Sequence, residues 1–244
     1  MALLEARDVV KNYGGIVAVS DASFDVEEGS ITALIGPNGA GKTTAFDIIS
    51  GVVEADRGSI AFDGTDITGL MPHVITKHGI GRTFQITREL GDMTVLENMV
   101  VSTVPNSLRA LLGGRMARSE KDRAMDVLAF VGIEKLAHQP AKRLSYGHRK
   151  LLEFASVMMT EPRLVLLDEP AGGVNPALLE RIMDRIEEAN RAGTTFLVVE
   201  HNMDVVMRLS HSIIVMAHGQ VILQDTPEAV REDQRVLDAY LGDV

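Results

Sequence analysis

The chain has 244 residues, a length that suits one large domain or one domain with a subdomain. Its formal net charge is −10, so it lacks the basic excess that usually marks a duplex-binding surface, and we expect no nucleic-acid partner. Cysteine is absent, which excludes disulfides and thiolate metal sites, and no segment approaches the ~20 apolar residues that cross a bilayer.

The first third of the chain carries strand and turn signals. Alternating or continuous apolar runs predict strands at residues 3–11, 17–26, 31–35 and 59–62. The pair Gly14 and Gly15 marks a turn between the first two strands, and a helix is predicted over residues 42–50, closed by Gly51.

The middle of the chain is helical, and strand signals return after it. Helices are predicted at residues 95–102, 119–131 and 149–159, and strands at residues 164–167, 195–199 and 213–216, with helices between and after them. This alternation around a helical block predicts an α/β core with an inserted helical subdomain.

Residues 36–44 match the pattern G-x-x-x-x-G-K-[ST] between a predicted strand and a predicted helix. In such a loop the glycines let the backbone turn its N–H groups toward phosphate oxygens, and the helix N-terminus adds positive potential. Lys42 would reach the β- and γ-phosphates, and the Thr43 hydroxyl would bind Mg²⁺. The predicted nucleotide-binding residues of this loop are Gly36, Asn38, Gly39, Ala40, Gly41, Lys42, Thr43 and Thr44. The alternative is a glycine-rich turn that binds nothing.

Two carboxylates, Asp168 and Glu169, end the predicted strand at residues 164–167. Ligands bind at the carboxyl ends of strands in open α/β sheets, so this position favours a site. Asp168 would hold Mg²⁺, and Glu169 would polarise the attacking water. The alternative is a chain that simply leaves the core for solvent.

Gln85 and His201 are candidates for sensing a γ-phosphate. Gln85 lies where the predicted sheet gives way to the helical block, and we also predict it as a magnesium ligand. His201 follows another predicted strand end, although a lone histidine there is often structural. Glu169, His201 and Gln85 together form the predicted catalytic set.

The order of these motifs along the chain resembles the nucleotide-binding domain of ABC transporters. The motifs that carry the resemblance are the phosphate loop, Gln85, Leu144-Ser145-Tyr146-Gly147-His148, Asp168-Glu169, Val174-Asn175 and His201. The resemblance covers essentially the whole chain. It implies a P-loop NTPase core at residues 1–86 and 161–244, with an antiparallel β subdomain, and a helical subdomain at about residues 87–160.

The resemblance also implies roles that spacing alone does not give. Tyr13 is similar to the aromatic residue that stacks on adenine. Ser145 and Gly147 match the signature loop, which in the family caps the γ-phosphate of ATP bound to the opposite subunit. From the residues alone, a helix N-cap is the favoured interpretation of Ser145.

The signature loop departs from the family's usual Leu-Ser-Gly-Gly-Gln. Tyr146 replaces a glycine, His148 replaces the glutamine, and Asn175 stands where an aspartate is usual. The tyrosine and the asparagine are similar to the subgroup of branched-chain amino acid importers, and residues 235–242 resemble that subgroup as well, whereas His148 does not fit it.

The resemblance therefore implies the ATP-hydrolysing motor of an importer for branched-chain or other hydrophobic amino acids, with ATP and Mg²⁺ as cofactors. The implied partners are membrane permease subunits, a second ATPase subunit in a homo- or heterodimer, and indirectly an external solute-binding protein. The implied location is the cytoplasmic face of the inner membrane. Urea or amide uptake, lipopolysaccharide export, a soluble ABC ATPase and a binding module without turnover are the alternatives.

Overall fold

The computed structural model describes residues 1–83, 90–101 and 118–241 of the chain. Its strands and α-helices alternate as the sequence predicts. In chain order they are β1 (Ala2–Tyr13), β2 (Ile16–Glu27), β3 (Ile31–Ile35), α1 (Lys42–Ile49), β4 (Arg57–Phe62), β5 (Thr65–Asp66), α2 (Pro72–Lys77), β6 (Ile80–Arg82), α3 (Val95–Val101), α4 (Arg118–Val131), α5 (Tyr146–Met158), β7 (Leu164–Asp168), α6 (Pro176–Arg191), β8 (Thr195–Val199), α7 (Met203–Leu209), β9 (Ser212–Ala217), β10 (Gln220–Asp225), α8 (Pro227–Glu232) and α9 (Gln234–Leu241).

An antiparallel sheet with the strand order β2-β1-β4-β5 forms one layer. Side chains of β1 and β2 alternate in burial over much of their length, because successive residues of a strand face opposite sides of the sheet. Leu4 of β1 lies in register with Val26 of β2 and Phe62 of β4, so large apolar residues line the inner face.

A second sheet with the order β10-β9-β3-β8-β7-β6 positions the candidate site. Its first strand pair, β10 with β9, is antiparallel, and the remaining neighbours are parallel. Every residue of β3, β7 and β8 is buried, which explains their continuous apolar sequences. Because β8 lies between β3 and β7, the carboxyl ends of these three strands meet at one edge of the sheet.

The two faces of the parallel sheet carry separate hydrophobic clusters. On one face, Phe46 of α1 joins Leu4 and Phe62 of the antiparallel sheet to Leu166 and Leu197 of the parallel sheet. On the other face, helices α3 to α6 pack against β7 and β8, and the rings of Phe154 and Phe196 lie 6.4 Å apart. Within the described ranges, no helix combines the length and the apolar composition needed to cross a membrane.

Most predicted elements lie within one to three residues of the observed bounds. The helix predicted at 149–159 begins three residues earlier in the structure, since α5 starts at Tyr146, directly after its cap Ser145. Sequence reasoning missed β5, β6 and β10, which have only two, three and six residues. Ser102, the predicted end of the helix at 95–102, lies outside the described residues, and the subdomain boundaries at 86/87 and 160/161 stay predictions.

Candidate active site

Three neighbouring strand ends bring the predicted site residues together. Gly36 directly follows β3, Asp168 is the last residue of β7, and His201 lies two residues after β8. In the sheet these strands are adjacent in the order β3-β8-β7. Residues that are more than a hundred positions apart in the sequence therefore share one edge, which is where open α/β sheets bind ligands.

The phosphate loop, residues 36–44, depends on glycine at two crowded positions. Gly36 has φ +149° and Gly41 has φ +98°, values that other residues rarely adopt. A Cβ atom on Gly36 would lie 2.1 Å from the carbonyl oxygen of Met216, and one on Gly41 would lie 2.4 Å from that of Ala18. The backbones of β9 and β2 therefore press directly on the loop and hold its shape.

Lys42 opens α1 and folds back over the phosphate loop. Its Nζ donates hydrogen bonds to the carbonyl oxygens of Gly36 at 2.7 Å and Pro37 at 2.8 Å. Burial lowers the pKa of Lys42, and the negative charge of Glu169 partly offsets that effect. The ammonium group is thus held at the loop by two carbonyl groups, within electrostatic reach of the candidate base.

Asp168 is a carboxylate in a nearly closed environment, with only 5% of the residue exposed. Its backbone N–H donates to the Thr83 hydroxyl at 3.2 Å, and Arg82 Nη2 lies 3.6 Å from its Oδ2 atom. Arg82 also donates to Asp47 of α1 at 2.7 Å. Burial raises the pKa of Asp168, while the charge of Arg82 acts in the opposite direction.

The chemistry of the donors at this edge fits a magnesium ion. Thr43 lies exposed in the first turn of α1 and offers a hydroxyl, and Asp168 offers a carboxylate. Both are hard oxygen donors of the kind that Mg²⁺ prefers alongside phosphate and water. A cation beside Asp168 would also offset the cost of burying its negative charge.

Glu169 and His201, two residues of the predicted catalytic set, lie side by side. Glu169 Oε1 lies 3.1 Å from His201 Nε2. The backbone of Glu169 has φ +47°, which is a strained conformation for a residue with a side chain. Its N–H donates to the carbonyl oxygen of Val199 at 2.9 Å, so the end of β8 holds this conformation and aims the carboxylate at His201.

Tyr13 is the residue predicted to stack on adenine. Tyr13 ends β1 with 48% of its surface exposed, and its ring lies 5.6 Å from Lys11 Nζ. The same β1–β2 hairpin reaches the phosphate loop through the contact of Ala18 with Gly41. Gln85 lies outside the described residues.

The signature residues lie at the start of α5. Ser145 caps this helix, because its hydroxyl accepts the N–H of His148 at 3.3 Å. Gly147 packs against Leu178 of α6, with room for no Cβ atom between them. Lys150 of the same helix donates to the backbone oxygen of Glu169 at 3.3 Å, so α5 contacts the candidate base through its backbone.

Sequence reasoning missed several residues that contact the site. Arg82 and Thr83 contact Asp168, and Lys150 contacts Glu169. Glu200 accepts hydrogen bonds from the backbone N–H groups of Ala171 and His201. Arg82 ends β6, and Glu200 directly follows β8. A polar residue at the carboxyl end of a buried strand was the signal that could have found these two.

Comparisons with known proteins agree with this geometry. A family model described as "ABC transporter" matches residues 19–172, and one described as "Branched-chain amino acid ATP-binding cassette transporter" matches residues 220–244. The chain is 39% identical over 247 residues to a probable branched-chain amino acid transport ATP-binding protein LivG of Archaeoglobus fulgidus, covering 99% of this chain and 96% of the relative.

Solved structures give the same result. The chain is similar to the ADP conformation of an ATP-binding cassette of an ABC transporter, with a TM-score of 0.89 and 33% identity over 100% of both chains. It is also similar to a dimeric bacterial ABC transporter cassette, with a TM-score of 0.79 and 25% identity over 92% of this chain and 98% of the other. These likenesses confirm the predicted α/β fold class and the predicted ATP binding. The protein thus belongs to the ABC transporter family, as an ATP-binding subunit that hydrolyses ATP.

Proposed function

We propose that this ATPase powers the import of branched-chain amino acids, as one of two ATPase subunits bound to a permease at the cytoplasmic face of the membrane. The carrying observation is the Glu169–His201 pair, 3.1 Å apart, at the sheet edge that also holds Lys42 and Asp168. The substrate class is supported by the name of the Archaeoglobus relative and by the family match over residues 220–244.

The binding step depends on the phosphate loop and Lys42. When ATP arrives, the Lys42 ammonium would exchange the carbonyl oxygens of Gly36 and Pro37 for phosphate oxygens. Thr43 and Asp168 would hold Mg²⁺, which when bound neutralises phosphate charge. Tyr13, at the exposed end of β1, would stack on the adenine ring.

The hydrolysis step depends on Glu169. Its carboxylate would accept hydrogen bonds from the attacking water and draw off its proton, while His201 would contact the γ-phosphate. Gln85 would complete the set as a further contact to the metal and the phosphate. The strained backbone of Glu169 supports this role, because such conformations cluster at functional sites.

The position of the signature loop supports a dimer. Ser145 is exposed at the start of α5 and could offer its hydroxyl to a nucleotide on another chain. We infer that two chains pair head-to-tail with ATP between them, either as two copies or as this chain with a related subunit. The helical segment at about residues 87–160 would contact the permease, and a solute-binding protein would act through that permease.

The variant Glu169→Gln tests the catalytic assignment. Glutamine keeps the size of the side chain but is a poor base, so the rate of ATP hydrolysis should fall by about 10²-fold or more. Binding of Mg-ATP should be retained in calorimetry. An ATP-dependent dimer should accumulate, because the variant does not hydrolyse the bound ATP that bridges the two chains. Size-exclusion chromatography with light scattering measures that dimer.

Lys42→Ala is the matched control, and it should lose both ATP binding and the dimer. An unchanged hydrolysis rate in Glu169→Gln would contradict the assignment of the base. The transport assignment has its own readout in cells that lack this chain. There, the parent chain should restore uptake of labelled leucine and Glu169→Gln should not, whereas restored uptake of labelled urea alone would contradict the amino-acid assignment.

A further inference from the structure

Glu200 is a buried carboxylate that links two parts of the candidate site. Only 3% of the residue is exposed. Its Oε1 atom accepts the backbone N–H of Ala171 at 2.7 Å. Its Oε2 atom accepts the N–H groups of His201 at 3.0 Å and Asn202 at 3.1 Å. Three charge-assisted hydrogen bonds therefore hold one side chain between two loops.

These contacts close a ring around the catalytic pair. Only one residue separates Glu169 from Ala171, and Glu200 accepts the N–H of Ala171. Glu200 is followed directly by His201, whose Nε2 atom lies 3.1 Å from Glu169 Oε1. The backbones of His201 and Ala171 are thus linked through a single carboxylate.

The loop that Glu200 holds extends from the candidate base toward the signature helix. Gly172 N–H donates to the Glu169 carbonyl oxygen at 3.0 Å. A Cβ atom on Gly173 would lie 3.0 Å from the ring of Tyr146, the residue after the signature serine. Asn175 then caps α6 by accepting the N–H of Leu178 at 3.0 Å. The loop thus joins the hydrolytic site to the predicted dimer surface.

We propose that Glu200 is a positioning residue that couples His201 to the loop at residues 171–175. It contacts neither nucleotide nor metal in this assignment; it acts by setting where His201 and the loop lie when ATP is bound. The proposal rests on the proposed function, because it assumes that Glu169 and His201 carry out hydrolysis. The three hydrogen bonds of Glu200 do not depend on that assumption, because they form without a bound ligand.

The variant Glu200→Gln separates this role from a general structural one. Glutamine has the same shape but only one acceptor oxygen, so its NH₂ group must face either the Ala171 N–H or the His201 and Asn202 N–H groups. A donor facing a donor cannot bond, and one side of the link is lost. Because misplacement by about 1 Å can cost up to about 10²-fold in rate, we expect kcat to fall at least about tenfold.

The Michaelis constant for ATP should stay within about twofold of the parent value, because the phosphate loop and Lys42 are untouched. Hydrogen exchange of the peptide that contains Ala171 should become faster in the nucleotide-free variant. Glu228→Gln, which makes the same charge change on the exposed surface of α8, is the control and should match the parent in every readout.

Parental kcat in folded Glu200→Gln would overturn the proposal, as would equal losses in kcat and in ATP affinity. If Glu200→Gln does not fold, Glu200→Asp replaces it. Aspartate keeps the charge and both oxygens but is one methylene shorter, and should show a reduced kcat with a parental Michaelis constant; a parental kcat would again overturn the proposal. ATP hydrolysis by the parent is measured in parallel. Its absence would count against the proposed function, whereas a parental kcat in the Glu200 variants would count against the positioning role alone.

Discussion

At the residue scale, the site places charged groups where they are poorly solvated. Asp168 and Lys42 are buried, and burial raises the pKa of the carboxyl group and lowers that of the ammonium group. Both shifts mean that these charges lower the stability of the nucleotide-free protein. A bound phosphate and cation would compensate the two charges. Such a conflict between stability and activity is common at functional sites.

Asp168→Asn should make this conflict measurable. The pKa of Asp168 is raised in the folded state, so the folded protein binds more protons and its free energy of unfolding falls as pH rises through that pKa. The uncharged amide removes this loss. At pH 7 without nucleotide, the Tm of the variant should therefore be higher than that of the parent.

The gain should shrink as the pH approaches about 4, the ordinary pKa of an aspartate, because the parent carboxyl group is then neutral as well. Binding of Mg-ATP should weaken in the same variant. Calorimetric melting at both pH values, with Glu228→Gln as an exposed control, checks the prediction. A lower Tm than the parent at pH 7 would show that the pairing with Arg82 outweighs the burial of charge.

At the element scale, α5 connects the signature loop to the rest of the site. Its first turn contains Gly147, which lies against Leu178 of α6, and its next turn contains Lys150, which donates to the Glu169 carbonyl oxygen. Ser145 fixes where the helix begins. The helix therefore contacts the backbone of the candidate base through Lys150 and the end of the Leu178 side chain through Gly147.

Gly147→Ala tests this close packing. Alanine favours a helix over glycine by about 1 kcal/mol, but its Cβ atom would lie 1.9 Å from Leu178 Cδ2. Overpacking costs about 1–3 kcal/mol, and Leu178 is a flexible, half-buried side chain that can turn aside, so the net loss should be small, below about 1 kcal/mol. In a Leu178→Ala background the clash is removed, and the same substitution should become neutral or stabilising. Denaturant unfolding of all four proteins measures the coupling, and additive effects would refute the contact.

At the scale of the whole molecule, α1 joins the two sheets. Phe46 is fully buried in a cluster that contains Phe62 of the antiparallel sheet and Leu166 of the parallel sheet. The helix that begins with Lys42 of the phosphate loop therefore ends in the shared core. The two sheets share one hydrophobic cluster on this face, and they should lose structure together.

Phe46→Ala should lower the free energy of unfolding by about 3–5 kcal/mol, the usual cost of a cavity left by phenylalanine. Hydrogen exchange should accelerate in β1 and in β8 alike, since both strands line the same cluster. Val52→Ala, at a position 51% exposed, is the control and should stay within about 0.5 kcal/mol. Faster exchange confined to one sheet would contradict a shared core.

Local features could be predicted from the sequence because they depend on neighbouring residues. The phosphate loop is one contiguous segment, and its glycines at positions 36 and 41 indicate a backbone conformation that other residues rarely adopt. The continuous apolar sequences of β3, β7 and β8 report burial on both faces. These patterns also placed Asp168 and Glu169 at a strand end. The family roles of Tyr13 and Ser145, by contrast, came from the resemblance.

The sequence by itself therefore predicted which segment would bind phosphate and determined which strands are central. Only the tertiary structure decided that His201 lies beside Glu169 and that Glu200 reaches Ala171, which is 29 positions away. Both contacts depend on β8 lying beside β7 in the sheet. Strand order results from packing between distant segments, and no local periodicity encodes it, because each buried strand carries the same apolar pattern.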